Sequence, residues 1–160
     1  MDALTAGQVP FEISRASVNE PDVAALIQRH IDLMRSQSPE EACHVMTPEA
    51  LSESGIDILV LREGNRAMAI GALRYADTFG ELKSMHTAAE ARGRGIGRVM
   101  VRALISLARD AGMTRVSLET GSGSEHAAAR ALYASEGFRD CPPFGDYGAH
   151  PLSVFMTRRI

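Results

Sequence analysis

Two hydrophobic periods alternate along the chain. Val23, Leu26, Ile27, Ile31 and Met34 recur at three- and four-residue steps, the spacing of a helix with one buried stripe. Pro21 opens that helix behind Asn19 and Glu20, where a missing N–H costs nothing. His30 lies on the edge of the stripe and reads as a packing or surface histidine. A second helical stretch is predicted over Pro39 to Leu51, broken near Pro48. The strongest helical pattern runs from Gly95 to Ala111. Its apolar residues Ile96, Val99, Met100, Ala103, Leu104, Leu107, Ala108 and Ala111 predict one continuous buried face, ended by Gly112. Glu125 to Ser135 reads as a last helix, closed by Gly137.

Between the helices the period shortens. Strands are predicted over Val9–Ser14, Ile56–Arg62, Arg66–Ala76, Glu81–Thr87, Arg115–Glu119 and Leu152–Thr157. Gly64-Asn65 supplies the turn of a hairpin, and Gly121 to Ser124 a loop. Strict alternation places Glu81, Lys83, Met85 and Thr87 on one face of their strand, and Leu82, Ser84 and His86 on the other. The order β-α-α-β-β-β-α-β-α-β predicts an α/β fold with a mixed sheet. The 160 residues show no repeat, low-complexity tract or linker, and suit one domain over 1–160.

Composition narrows the class. A chain of this size can bury roughly two-thirds of its unfolded surface and needs no disulfide. Cys43 and Cys141 stand far apart and read as reduced thiols of a cytoplasmic protein. The first ten residues lack a signal-peptide pattern, and no run approaches the ~18 apolar residues of a membrane span. The net charge of -3 argues against nucleic acid as a partner. Five histidines and two cysteines show no metal-ligand spacing; even Cys43-His44 lacks a companion pair. Lys83 is the only lysine, whereas Arg92, Arg94, Arg98 and Arg102 crowd into eleven residues.

That cluster carries the chemistry. In Arg92-Gly93-Arg94-Gly95-Ile96-Gly97-Arg98 a strand has just ended and a helix begins. A helix start leaves backbone N–H groups unpaired and carries partial positive charge. Glycines let a phosphate approach those groups, and arginines add charge-assisted hydrogen bonds. The spacing suits a diphosphate. It is not a Walker A loop, which needs Gly-Lys-Ser/Thr, and GxGxxG from Gly93 fails at Arg98. An ordinary glycine-rich turn is the plainer alternative.

Here the sequence resembles the GNAT superfamily of acyl-CoA transferases. Arg92, Gly95 and Gly97 meet its R/Q-x-x-G-x-G/A hallmark. Leu132-Tyr133 through Gly137-Phe138 matches its LY-x-x-x-GF signature, and Met85-His86-Thr87 falls where its fourth strand ends. The resemblance runs from about Val9 to the C-terminus and is densest from Glu81 to Phe138. The tail, with Cys141-Pro142-Pro143-Phe144-Gly145-Asp146-Tyr147, is similar to a bacterial subgroup acting on small molecules. It implies a twisted, mostly antiparallel sheet of six to seven strands, flanked by about four helices and splayed between strands 4 and 5. It also implies acetyl-CoA as co-substrate, without a metal. The pantetheine arm would pair with main-chain groups of Met85, His86 and Thr87, and the pyrophosphate with the amides of Arg92 to Arg98. His126 stands where many relatives have a cofactor-binding asparagine; it can serve as a donor there or face solvent.

Acetyl transfer to an amine needs a base, donors for the oxyanion and an acid for the leaving thiolate. The resemblance makes Tyr133 the acid, with packing under the next turn as its plain alternative. It makes Glu81 the candidate base, with Lys83 drawing in an acidic acceptor. Glu81 and Lys83 can equally form a simple surface ion pair. Ser38, His44 and Tyr147 are further residues placed near the acceptor, and Cys141 reads as packing. The leading expectation is an N-acetyltransferase for a small-molecule amine. A non-catalytic acyl-CoA sensor and a protein lysine or N-terminal acetyltransferase are the rivals. Exposed strands at the C-terminal end could support a homodimer.

Overall fold

The computed structural model describes residues 11–160. One seven-stranded sheet, in the order β1-β2-β3-β4-β5-β7-β6, forms the frame. Its strands are β1 (Phe11–Ala16), β2 (Ile56–Glu63), β3 (Arg66–Tyr75), β4 (Gly80–Thr87), β5 (Arg115–Gly121), β6 (Arg139–Asp140) and β7 (Ser153–Arg159). Only the β4–β5 pair is parallel. The helices are α1 (Pro21–Gln37), α2 (Pro48–Leu51), α3 (Ile96–Asp110) and α4 (Ala127–Ser135). The sequence-based order therefore holds, with the two-residue β6 added. Val9 and Pro10 of the expected first strand lie outside the described residues.

The helices cover both faces of the sheet. A methyl on Gly71 of β3 would meet Leu104 Cδ1 at 2.7 Å, so that face looks at α3. The next residues of β3 on either side, Ile70 and Ala72, point to the opposite face. There α1 buries Val23, Leu26, Ile27 and Ile31. β2 and β3 are buried on both faces in their middle turns, which explains their nearly continuous apolar runs.

Two expectations need correction. The stretch 39–51 is not a broken helix. It forms a 3-10 turn at Glu40–Ala42, an extended run, and the single turn of α2 opened by Thr47, whose Oγ1 accepts from the Ala50 amide at 3.2 Å. Helix α3 is where expected, but rotated: Val101 and Ile105 are buried, while Val99 is 40% exposed. Apolar residues wrap more than half of α3, so their spacing alone leaves its inward face ambiguous.

Candidate active site

The site begins with a defect in β4. Lys83 pairs with Ala72 and His86 with Ile70, so Ser84 and Met85 together oppose Gly71. This is a β-bulge, and Ser84 takes a left-handed φ of 53° within it. The bulge reverses the side-chain parity. Glu81, Lys83 and His86 share one face; Leu82, Met85 and Thr87 share the α3 face, where a methyl on Gly71 would meet Met85 Sδ at 2.9 Å. The expected grouping of Met85 and Thr87 with Glu81 is thus overturned, because strict alternation does not survive an extra residue.

Beside the bulge the sheet opens. The β4–β5 pairing ends at Leu82 opposite Leu118. Beyond it the strands part around a cleft of about 490 Å³, lined by Met85, His86 and Thr87 on one side and Glu119, Thr120 and Gly121 on the other. The main chain of β4 past Lys83 has no partner strand on that side, a slot suited to an extended ligand with amides.

The glycine turn forms one end of the cleft. Gly93 and Gly95 have φ of 78° and 77°, and a Cβ on either would meet nothing within 4 Å. Their requirement is conformational, not spatial. Gly97 is the spatial one: its Cβ would lie 3.1 Å from Leu132 Cδ2 and 3.8 Å from Thr87 Oγ1. The backbone N–H groups of Gly93 through Arg98 have no acceptor among the described residues. No acidic residue occupies the first turn of α3. This is a positive pole with open donors.

The arginines divide. Arg92 lines the cleft, and its Nε donates to the Thr87 carbonyl at 3.2 Å. Arg94 instead pairs with Glu63 on β2, and Arg98 with Glu136 at 2.6 Å, a carboxylate shared with Arg102. Two of the three arginines expected at the diphosphate hold carboxylates, while their main-chain amides stay in the turn. Ile96 sends its side chain into the core. His126 does not face solvent: it lines the cleft and packs over Gly121, where a Cβ would clash with its ring at 2.1 Å.

The far end is polar and buried. Glu81 is 2% exposed, so the surface ion-pair reading fails. Its Oε1 accepts from Arg74 Nε at 3.0 Å and Nη2 at 2.9 Å; its Oε2 accepts from Lys83 Nζ at 3.2 Å and the Tyr147 hydroxyl at 2.6 Å. Burial, then the bond to Glu81, raises the Tyr147 phenol above its ordinary range. Opposite stands His44, whose Nδ1 meets Glu119 Oε2 at 2.6 Å; Ser153 Oγ donates to the same oxygen at 2.9 Å. Ser38 also lines this end.

Tyr133 sits in the wall, 6% exposed and edge-on to Phe138 at 5.8 Å. Its hydroxyl makes no hydrogen bond to a described residue, and burial pushes its pKa up to about 12. The phenol is therefore protonated at neutral pH and able to donate. Behind β4, His30 and His86 meet ring to ring at 5.4 Å. Burial pushes both down to about 4, helped by His86 beside His30 and by Arg92 beside His86. Sequence reasoning placed neither Glu119, Arg74 nor Ser153 in the site. The available signal was one polar residue, Glu119, directly after the buried Val116-Ser117-Leu118 run.

The family model described as "Acetyltransferase (GNAT) family" matches residues 24–138. The chain belongs to the GNAT family. It is 40% identical over 139 residues to the N-acetyltransferase YsnE of Bacillus subtilis (strain 168), covering 86% of this chain and 92% of that one. It is 37% identical over 148 residues to the N-acetyltransferase YedL of Escherichia coli (strain K12), covering 92% and 93%. An IAA acetyltransferase of Azospirillum brasilense is 36% identical over 151 residues, covering 92% and 97%. Among solved structures, an acyl-CoA N-acyltransferase from Klebsiella pneumoniae superposes with a TM-score of 0.76 at 26% identity, covering 93% and 97%. PaiA N-acetyltransferase from Thermoplasma acidophilum, in complex with coenzyme A, superposes at 0.74 with 14% identity, covering 94% and 99%. This GNAT chain is accordingly an acyltransferase, with the mixed sheet and the parallel β4–β5 splay of its structural neighbours.

Proposed function

We propose that this enzyme moves an acetyl group from acetyl-CoA to the amine of a small molecule, by direct transfer within a ternary complex. One observation carries the reading: the open amides of Gly93–Arg98 and the unpaired edge of β4 lead along one cleft to Tyr133. The turn would receive the pyrophosphate, with Arg92 beside it. The edge from Met85 to Thr87 would pair with the pantetheine amides, and His126 would close the arm from the β5 side. Tyr133 would protonate the leaving thiolate. The coenzyme A held by the Thermoplasma protein supports this ligand.

A small acceptor fits the other end better than a protein segment. Glu81 has no uncommitted oxygen, and Lys83, 13% exposed, is neutralised by it. The reading of Glu81 as a free base therefore gives way to a positioning part, in which it fixes Lys83 and Tyr147. Lys83 is correspondingly a weak lure for an acidic acceptor. Ala42 of the 3-10 turn, His44 and Tyr147 line this end of the cleft. The name of the Azospirillum relative agrees with a small acceptor.

Calorimetry with CoA, followed by thiol release from acetyl-CoA over an amine panel, tests the reading. Heat of binding with product formation is expected. Binding without product across the panel would favour an acyl-CoA sensor, and no heat at millimolar CoA would end both readings. Tyr133→Phe should keep CoA affinity and lose on the order of 10²-fold in kcat; full turnover would remove the acid assignment.

A further inference from the structure

We propose that His44, oriented by Glu119, takes the proton from the acceptor amine, an inference that rests on the acetyl-transfer reading above. An ionised carboxylate only accepts hydrogen bonds. The 2.6 Å contact with Glu119 Oε2 therefore fixes the ring proton of neutral His44 on Nδ1 and leaves the lone pair on Nε2. Nε2 makes no hydrogen bond to a described residue, and the ring lines the cleft. Ser153 holds the shared Glu119 oxygen from β7 at 2.9 Å. The ring of Tyr147 stands edge-on to the imidazole at 5.2 Å. A base, its orienting carboxylate and a second donor to that carboxylate are thus assembled from three separate segments.

The position suits the task. Glu119 is the first residue of β5 beyond the last β4–β5 pair, so the dyad stands where the strands part. Tyr133 and His44 both line the cleft that opens there. The other candidates are occupied or unsuited. Glu81 holds Arg74, Lys83 and Tyr147 on its two oxygens. His30 and His86 face each other, and the field of Glu90 at His86 is outweighed by Arg92 and Arg29. His126 meets Glu125 through Nε2 itself, at 3.8 Å. His44 bonds its carboxylate through Nδ1 and keeps Nε2 open. The groups facing its ring are Glu119 and Ser153 from the β5 and β7 side and Tyr147 from the connecting loop, with Lys83 and Glu81 of β4 behind Tyr147.

The step balances without another reagent. The neutral amine attacks the carbonyl carbon, and its N–H proton passes to His44 Nε2 as the C–N bond forms. The C–S bond breaks with its electron pair going to sulfur, which takes the Tyr133 proton. The imidazolium returns its proton through solvent, and the tyrosinate regains one.

The experiment measures thiol release from saturating acetyl-CoA with an amine from a panel of spermidine, tyramine and lysine methyl ester that the wild type acetylates. His44→Ala should lose on the order of 10²-fold or more in kcat with KM for acetyl-CoA nearly unchanged, and added imidazole should restore about tenfold. Glu119→Gln should lose less in kcat and also keep that KM, as a positioning residue would. In parallel, ¹⁵N spectra of the histidine rings should show His44 as the Nδ1–H tautomer in the wild type, and a mixture in Glu119→Gln. Full turnover by His44→Ala, or a loss that imidazole does not restore, overturns the proposal. If the wild type acetylates no amine in the panel, the small-acceptor reading is what fails. The ring spectra then decide the dyad alone, and an Nε2–H tautomer overturns it.

Discussion

The phenolic oxygen of Tyr147 stands 2.6 Å from Glu81 Oε2, although the two residues are 66 positions apart. This bond ties the irregular segment after β6 to the start of β4, beneath the acceptor end of the cleft. It also completes the shell of donors around a carboxylate that is 2% exposed.

Removing that hydroxyl is expected to loosen the fold more than the cofactor end. Tyr147→Phe should cost about 2 kcal/mol in urea unfolding, the value of a bond to a charged group. Glu81→Leu should cost more, about 3–5 kcal/mol, because it strands Lys83 and Arg74 without their anion. CoA affinity of Tyr147→Phe should match the wild type; a tenfold loss would place Tyr147 nearer the cofactor than this geometry does.

The turn before α3 makes a sharper test. Gly95 has φ of 77° and open space where a Cβ would go. Gly95→Ala should lose roughly 1–2 kcal/mol from left-handed strain, less a fraction recovered from the stiffer unfolded chain. Gly95→Asn should lose less, since asparagine tolerates that region. Thermal melts of the two variants check the order, and equal melting temperatures would contradict a conformational requirement.

Acid should weaken the fold before it protonates the paired carboxylates. His30 and His86 are held near 4 in the folded chain against 6.5 when free, mainly by burial. Between those values the unfolded chain binds protons that the fold refuses, so stability rises with pH across this window and is lost on acidification. Each histidine should cost about 1 kcal/mol between about pH 7 and 5.5. Asp22 and Glu136, held down by Arg62 and Arg102, contribute only at lower pH. Urea midpoints at the two pH values check this, and His30→Leu should reduce the slope by about half. A flat profile would contradict the burial of both rings.

Much of this was legible beforehand, for physical reasons. Periodicity located α1, α3 and the strands, and the glycines of Arg92–Gly97 marked the turn before α3, because glycine at φ near 77° has few substitutes. The bulge at Ser84-Met85 was not legible, since neither residue is a glycine and nothing local announces the extra position. Missing it put Met85 and Thr87 on the wrong face. The stretch 39–51 misled because Glu40–Ala42 and Pro48–Leu51 each favour a helical turn, whereas the run between them is held out over the cleft by His44 and Glu119. That contact spans 75 positions and leaves no trace in local sequence. The pairing of the Arg94 and Arg98 guanidinium groups with Glu63 and Glu136 was not legible either, since those carboxylates lie far off along the chain.

The central claim is that main-chain donors at the head of α3 receive the pyrophosphate. Amide ¹H–¹⁵N spectra recorded while CoA is added test it most directly. The amides of residues 93–98 should move furthest and downfield, with those of 85–87 following along the β4 edge. Saturable binding that leaves 93–98 unmoved would contradict the account.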